Sequence, residues 1–335
     1  MTRSTAAGNT PVSVLVALAI GLVLTLAMLQ VYVGSKRTYR AAEASARIQE
    51  GARFASEILA RDIRMAGYQG CSGPERRSTS VLADSSSFLY DFASPIEGFD
   101  GGDDETWSPA LEGGLNAVAA GTDVLVIRGL FGSEPEITGT AAVGECGTAA
   151  LIVTDTSDFR AGDIVIAGNC QAAAIFQTTS VSATSLGHSV SVSEPGNARG
   201  DLGFCFAGDG MVGRLSTRTF FIRRSQRGVR SLYRMDASGS NIATEELIEG
   251  VEDMQLMYGV DTSGDGSANT LLRAEDIADW QDVRSVRVSL LFASVENNVA
   301  TAEQSYYFNG AMFQPEDKRI RRAFTTTLRL RNSLP

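Results

Sequence analysis

Lysine is almost missing from this chain: only Lys36 and Lys318 occur among 335 residues. The other positive charges are arginines, and 39 acidic residues outweigh 29 basic ones, for a formal net charge of -10. This balance argues against a general nucleic-acid binder, because phosphate contacts need local positive charge. Histidine occurs once, at His188. A nucleophilic hydrolase would have that single imidazole as its base, and in SLGHSVSV, beside an expected strand, it reads as a packing or surface residue. No GxSxG, HExxH, Walker or dinucleotide motif is present, so no catalytic residue is expected. None of the four cysteines forms a CxxC pair, which excludes a zinc ribbon and a thioredoxin-like motif.

What the chain does have is grease at one end. Residues 14–33, VLVALAIGLVLTLAMLQVYV, run for 20 positions without a charge. At the helical rise they span about 30 Å, the thickness of a bilayer core. A cleavable secretory signal has a shorter apolar region. The continuation, residues 35–66, has no proline and a single glycine and suits a helix. Ile48, Ala52, Ala55, Leu59 and Ile63 recur at steps of three and four and make one apolar stripe, widened by Phe54, Ile58 and Met65. Glu57 and Arg61 stand four apart on the polar side. Gly67 offers a C-terminal stop. The pattern predicts one helix from about residue 10 to 66, lipid-soluble in its first half and docked on a head by its second. A plain signal anchor with a juxtamembrane stalk fits these features too. The flanking charges, Arg3 before the span and Lys36, Arg37 and Arg40 after it, do not decide the orientation.

From Tyr68 the periodicity changes. Residues 72–121 read as a long irregular stretch with room for a short helix or strand. Short β-like runs follow at 123–129, 150–154, 163–168, 174–181 and 189–193, then at 216–224, 229–235, 251–260, 283–293 and 324–331. Val286, Val288, Leu290 and Phe292 alternate with Arg287 and Ser289, and Thr326, Leu328 and Leu330 alternate with Arg329 and Arg331. These are antiparallel strands with one wet face, and the helix is the natural cover for the dry one. The expected class is α+β, a long N-terminal helix packed on a β-rich, mainly antiparallel head. Two lobes are expected, with an insertion near 122–205.

Cys71, Cys146, Cys170 and Cys205 are an even set, which in an exported chain favours two disulfides; three pairings are open. In DTSGDGSAN, Asp261, Ser263, Asp265 and Asn269 fall at positions 1, 3, 5 and 9 of a calcium loop, with Gly266 at 6. Leu272 stands where position 12 needs a glutamate, and a polar turn uses the same residue types. Calcium is therefore the one cofactor to consider. Arg223, Arg224, Arg227 and Arg230 lie among Phe220, Phe221 and Tyr233; a DNA-contacting patch is possible chemically, and a hairpin with a basic solvent face is the preferred reading.

These residues resemble a known family. A short polar leader ends in Gly8, and the apolar run follows, as in class III signals cut by prepilin peptidase after the glycine. VALAIGLVL at 16–24 is similar to pilin N-termini, and RIQEGARFASEILARDIRMAGYQGC at 47–71 resembles the minor pilins of the PilW type. The resemblance returns in order at 159–170, 175–177, 212–215, 231–235, 247–266, 283–291 and 328–332. It implies a leader over 1–8, an assembly helix over 9–34, its amphipathic continuation over 35–67 and a periplasmic head over 68–335. It implies cleavage between Gly8 and Asn9, N-methylation, and a subunit without enzymatic activity. The implied partners are other minor and major pilins, prepilin peptidase and an inner-membrane assembly platform. The implied location is the inner membrane before assembly and the pilus afterwards. The implied roles are priming or tip placement in support of twitching, adhesion or DNA uptake. The chain departs from the pattern at Asn9, where pilins usually carry Phe, and at Ser13, where they carry the assembly glutamate. A carboxylate in lipid needs a specific partner, and Ser13 cannot supply that charge. A pseudopilin of a type II secretion system and a membrane-anchored periplasmic enzyme or ligand-binding protein are the alternatives.

Overall fold

The computed structural model describes residues 11–71, 77–111, 115, 117–142, 147–206 and 208–332. One helix, α1, runs without interruption from Pro11 to Met65, 55 residues. At the standard rise it is about 80 Å long. Proline at its first position costs nothing, since that N–H has no intrahelical partner. Gly67, at φ 72°, ends it in the left-handed region, and its N–H is taken by the carbonyl of Arg128. Asn332 from the far end of the chain donates to the carbonyls of Arg64 and Ala66. The helix end is thus capped from two remote segments.

The rest is β-rich and almost wholly antiparallel; the short strand Arg77–Ser80, parallel to Ala172–Gln177, is the exception. Gly210–Arg224 is the spine of a 13-stranded sheet. Its first half pairs with Ile164–Gly168 and Glu136–Thr140, its second half with Val124–Leu130 and Arg230–Ser238. A second sheet has four strands in the order Thr270–Leu272, Val251–Val260, Val283–Ala293, Arg321–Arg329. The docked half of α1 covers the latter: Ala55, Leu59 and Ile63 share one core with Val286, Val288 and Leu328. A separate core, containing Ile137, Val165, Phe176 and Val212, lies in the strands of the 122–212 region.

Two expectations change, at 189–193 and at the Glu57–Arg61 pair. Within 72–121, Ile96–Gly101 is the short strand for which that stretch left room, with Ile96 and Phe99 buried. The run 189–193 is not a strand; only Ser191 forms an isolated bridge, to Asn197. Asn241–Glu249 is a strand that is not among the β-like runs; pairing with Arg230–Ser238 and burial of Ile248 hold it. The i,i+4 pair Glu57–Arg61 is not among the ion pairs of the described residues; Arg61 reaches Asp62 instead, at 3.5 Å.

The two sheets meet at a polar seam. Gly98 lies under Tyr258, so closely that a Cβ there would be 1.8 Å from the phenol oxygen; only glycine fits. Asp123 is buried and joins the sheets, accepting from Gly101 N at 2.9 Å and from Leu256 N at 2.7 Å. Burial pushes its carboxyl up to about 7, against those two amide donors and with help from the nearby Asp100 and Asp253 carboxylates. Burial pushes Asp253 up to about 6. A carboxyl with a raised folded pKa binds its proton more tightly when native. Its contribution is fully present below the unfolded value of about 4 and is lost as pH rises through the folded value. For Asp123 the loss is at most about 4 kcal/mol. Carboxyls held low, such as Asp317 at about 2, titrate below this window. Urea unfolding of the full chain in detergent is therefore expected to give a lower midpoint at pH 8 than at pH 5. Asp123→Asn is expected to flatten that slope while lowering the midpoint at pH 5, because one backbone N–H loses its acceptor.

Candidate assembly surface on the long helix

From Pro11 to Arg40 every residue of α1 is exposed, and an 18-residue window of mean hydropathy 2.8 has nothing buried. The helix is long and apolar enough to cross a membrane. Ser13, Ala17, Gly21 and Thr25 stand four apart and share one face. The Thr25 hydroxyl donates to the Gly21 carbonyl at 2.8 Å, so it is satisfied within the helix. Gly21 borders open space: a methyl group added there would meet nothing within 4 Å. Small residues at this spacing let two helix backbones approach closely, the device that replaces hydrophobic drive inside lipid.

The docked half is held differently. Gly51 lies against Phe292 and Ile248, where a Cβ would be 3.2 and 3.3 Å from their side chains. Asp62 is fully buried on the same face. Its carboxylate accepts from Arg218 at 3.0 Å and from Arg234 at 3.3 Å. Arg218 also donates to Asp236 at 2.8 Å, Arg214 reaches the other Asp236 oxygen at 3.0 Å, and Arg234 pairs with Glu245. Burial pushes the Asp236 carboxyl up, but Arg214 and Arg218 outweigh it and hold it below the ordinary range. The Arg218 guanidinium also stacks 3.8 Å from the Phe131 ring centroid. Sequence reasoning missed this ionic lock on the helix; an acid inside an apolar stripe is its only sequence signal.

Just past the helix, Cys71 is bonded to Cys170, closing a separation of 99 residues. Cys205 is also disulfide-bonded; Cys146 lies outside the described residues. Gly8 and Asn9 lie outside them too. Ser13 is in the first turn of α1, exposed, on the small-residue face.

The loop at 261–269 brings Asp261, Ser263 and Asn269 together. Asp261 Oδ1 accepts from the amides of Ser263, Gly264 and Asp265 and from the Ser263 hydroxyl, and Oδ2 accepts from Gly266 N at 2.7 Å. Asp265 turns away to Ser267 N. Burial pushes the Asp261 carboxyl up, but the amides of Gly266, Gly264 and Ser263 outweigh it and hold it low. Among the described residues no three acidic, histidine or cysteine groups converge as metal ligands. His188 is buried against Phe176, with a ring nitrogen 2.9 Å from each of the Gly200 and Ala149 carbonyls. The arginines of the 220–234 hairpin are mostly engaged: Arg223 over Tyr233, Arg224 on the Gly228 carbonyl, Arg230 on the Glu252 carbonyl.

Residues 219–332 match the family model of the type IV pilus-assembly protein W, PilW. No curated protein and no solved structure matches the chain. The matched segment spans the arginine-bearing hairpin and the four-stranded sheet that receive α1. Taken with the long apolar helix, the match supports a PilW-type pilus protein with a role related to type IV pilus assembly.

Proposed function

We propose that the chain is a minor pilin, a structural subunit that helps prime a type IV pilus or sits at its tip. The observation that carries this reading is the division of α1. One half is sealed onto the head by apolar packing and a buried ionic lock; the other half is exposed along its whole described length. A helix of this kind can exchange lipid for like helices without disturbing its head. The small face at Ser13, Ala17, Gly21 and Thr25 suits such packing. Support for twitching, adhesion or DNA uptake would then be indirect, through the filament. Mass spectrometry of the membrane form tests the proposal. A mature N-terminus at Asn9 is expected in cells with active prepilin peptidase; retention of Met1 there overturns it.

Calcium is not required by this reading. The Asp261 oxygens are already supplied with amide and hydroxyl donors, which a cation would have to displace. Millimolar calcium is expected to leave the Tm of the full chain unchanged, as scanning fluorimetry in detergent can check.

A further inference from the structure

The segment Ser189–Ser193, SVSVS, is an unguarded edge. Ser191 exchanges two backbone hydrogen bonds with Asn197, each 3.1 Å. The Ser189 carbonyl accepts from Asn197 Nδ2, and the Ser193 hydroxyl donates to Gln177. The backbone groups of Ser189 and Ser191 therefore point inward, although the side chains of Ser189 and Ser193 are exposed. Asn197 and Gln177 are themselves buried, and the Asn197 side chain accepts from the Gln177 N–H and donates to the Gln177 carbonyl, so the segment is held on a stiff base. Val190 and Val192 alternate with the serines and face the other way. Val190 is 64% exposed and Val192 wholly so. Their N–H and C=O groups make no hydrogen bond among the described residues.

Proteins usually protect such an edge with charge, a bulge or a cover. This one has none of these within its five residues. On a chain of net charge -10 its five residues carry no charge of their own, and the exposed Glu194 stands just beyond them. The sequence is also a palindrome about Ser191. Laid antiparallel on itself, it puts Val190 opposite the second copy's Val192 and Ser191 opposite Ser191. The outward groups of the valines then fall at hydrogen-bonded positions, and the serine pair at a non-hydrogen-bonded one. Valines directly opposite on one face are favourable cross-strand pairs.

We infer that Ser189–Ser193 is a self-complementary edge that pairs antiparallel with the same segment of a second copy, about a two-fold axis. The seam is short, so it acts only where a shared membrane or filament raises the local concentration of heads. It does not depend on the proposed pilin role, because any tether that crowds two heads would serve.

Ser191→Cys tests it in the full chain in native membranes. At a non-hydrogen-bonded pair the Cα atoms come to about 4.5 Å, within reach of a disulfide. Oxidative dimer formation is expected to be about tenfold faster than for Thr301→Cys, an exposed control elsewhere on the head. Adding Val190→Lys and Val192→Lys should remove the difference, since like charges then face each other. A second readout needs no new cysteine. Native mass spectrometry of the otherwise unaltered chain in nanodiscs holding two copies should show paired heads that the double-lysine variant lacks, at equal Tm. Equal crosslinking rates for 191 and 301, or crosslinking that survives the two lysines, overturns the inference.

Discussion

Replacing Cys71 and Cys170 together by serine is expected to lower the stability of the full chain by as much as about 4.7 kcal/mol, the value for a closed loop of about 100 residues. The bond joins the segment just beyond α1 to the turn between Ile164–Gly168 and Ala172–Gln177, 99 residues away. Most of the effect lies in the unfolded chain, which regains the freedom that the loop denies it. Both cysteines are changed at once so that no orphan thiol attacks the remaining disulfide. Part of the native junction survives. Leu130 N still donates to the Tyr68 carbonyl at 2.8 Å, and the Tyr68 hydroxyl to Glu134 at 3.1 Å. The variant should therefore fold, with a lower urea midpoint and faster amide exchange at 164–177 than at the docked half of α1. A loss below about 1 kcal/mol would mean that the unfolded state is already compact around this junction.

The docked stripe was legible because burial repeats with the helical period: Ile48, Ala52, Ala55, Leu59 and Ile63 are all buried as their spacing implied. Val286, Val288, Leu290 and Phe292 were legible for the same reason at a period of two. Asp62 was not. Its place on the apolar stripe, three residues after Leu59, hints at burial but names no partner, and its partners are 156 and 172 residues away. No local pattern carries a contact at that range. Asn241–Glu249 escaped because Ile242 to Glu246 are all exposed, so both faces of this part of the strand are wet and no apolar alternation shows. SVSVS misled in the opposite direction: its alternation is real, but the apolar side faces out. The Asp261 loop was ambiguous in principle, since turns and calcium sites draw on the same residues.

Asp62→Asn is expected to cost about 3–5 kcal/mol, because removing one partner of a buried ion group leaves the others uncompensated. Asparagine keeps the shape and one acceptor, so the loss reports charge and not volume. Arg218 retains Asp236, and Arg234 retains Glu245, but each guanidinium then lies against a neutral amide in a buried site. Arg61→Ala is the control. That side chain is mostly exposed and touches the same carboxylate at 3.5 Å, so its removal should cost at most about 1 kcal/mol. Combining Asp62→Asn with Arg234→Gln should cost less than the sum of the two, since the second change removes one of the charges that the first strands. Urea unfolding of the full chain in detergent supplies all four midpoints. The functional consequence follows from position. Asp62 lies one turn from the end of the rod, where α1 meets the strands Gly210–Arg224 and Arg230–Ser238. With the lock gone, Ile48 to Ile63 must hold the helix by apolar contact alone, and apolar contact permits sliding where an ion pair fixes register. The head would stay attached but lose its set position on the helix. If Asp62→Asn instead costs less than about 1 kcal/mol, the stripe suffices and the arginines belong to the sheet, not to the joint.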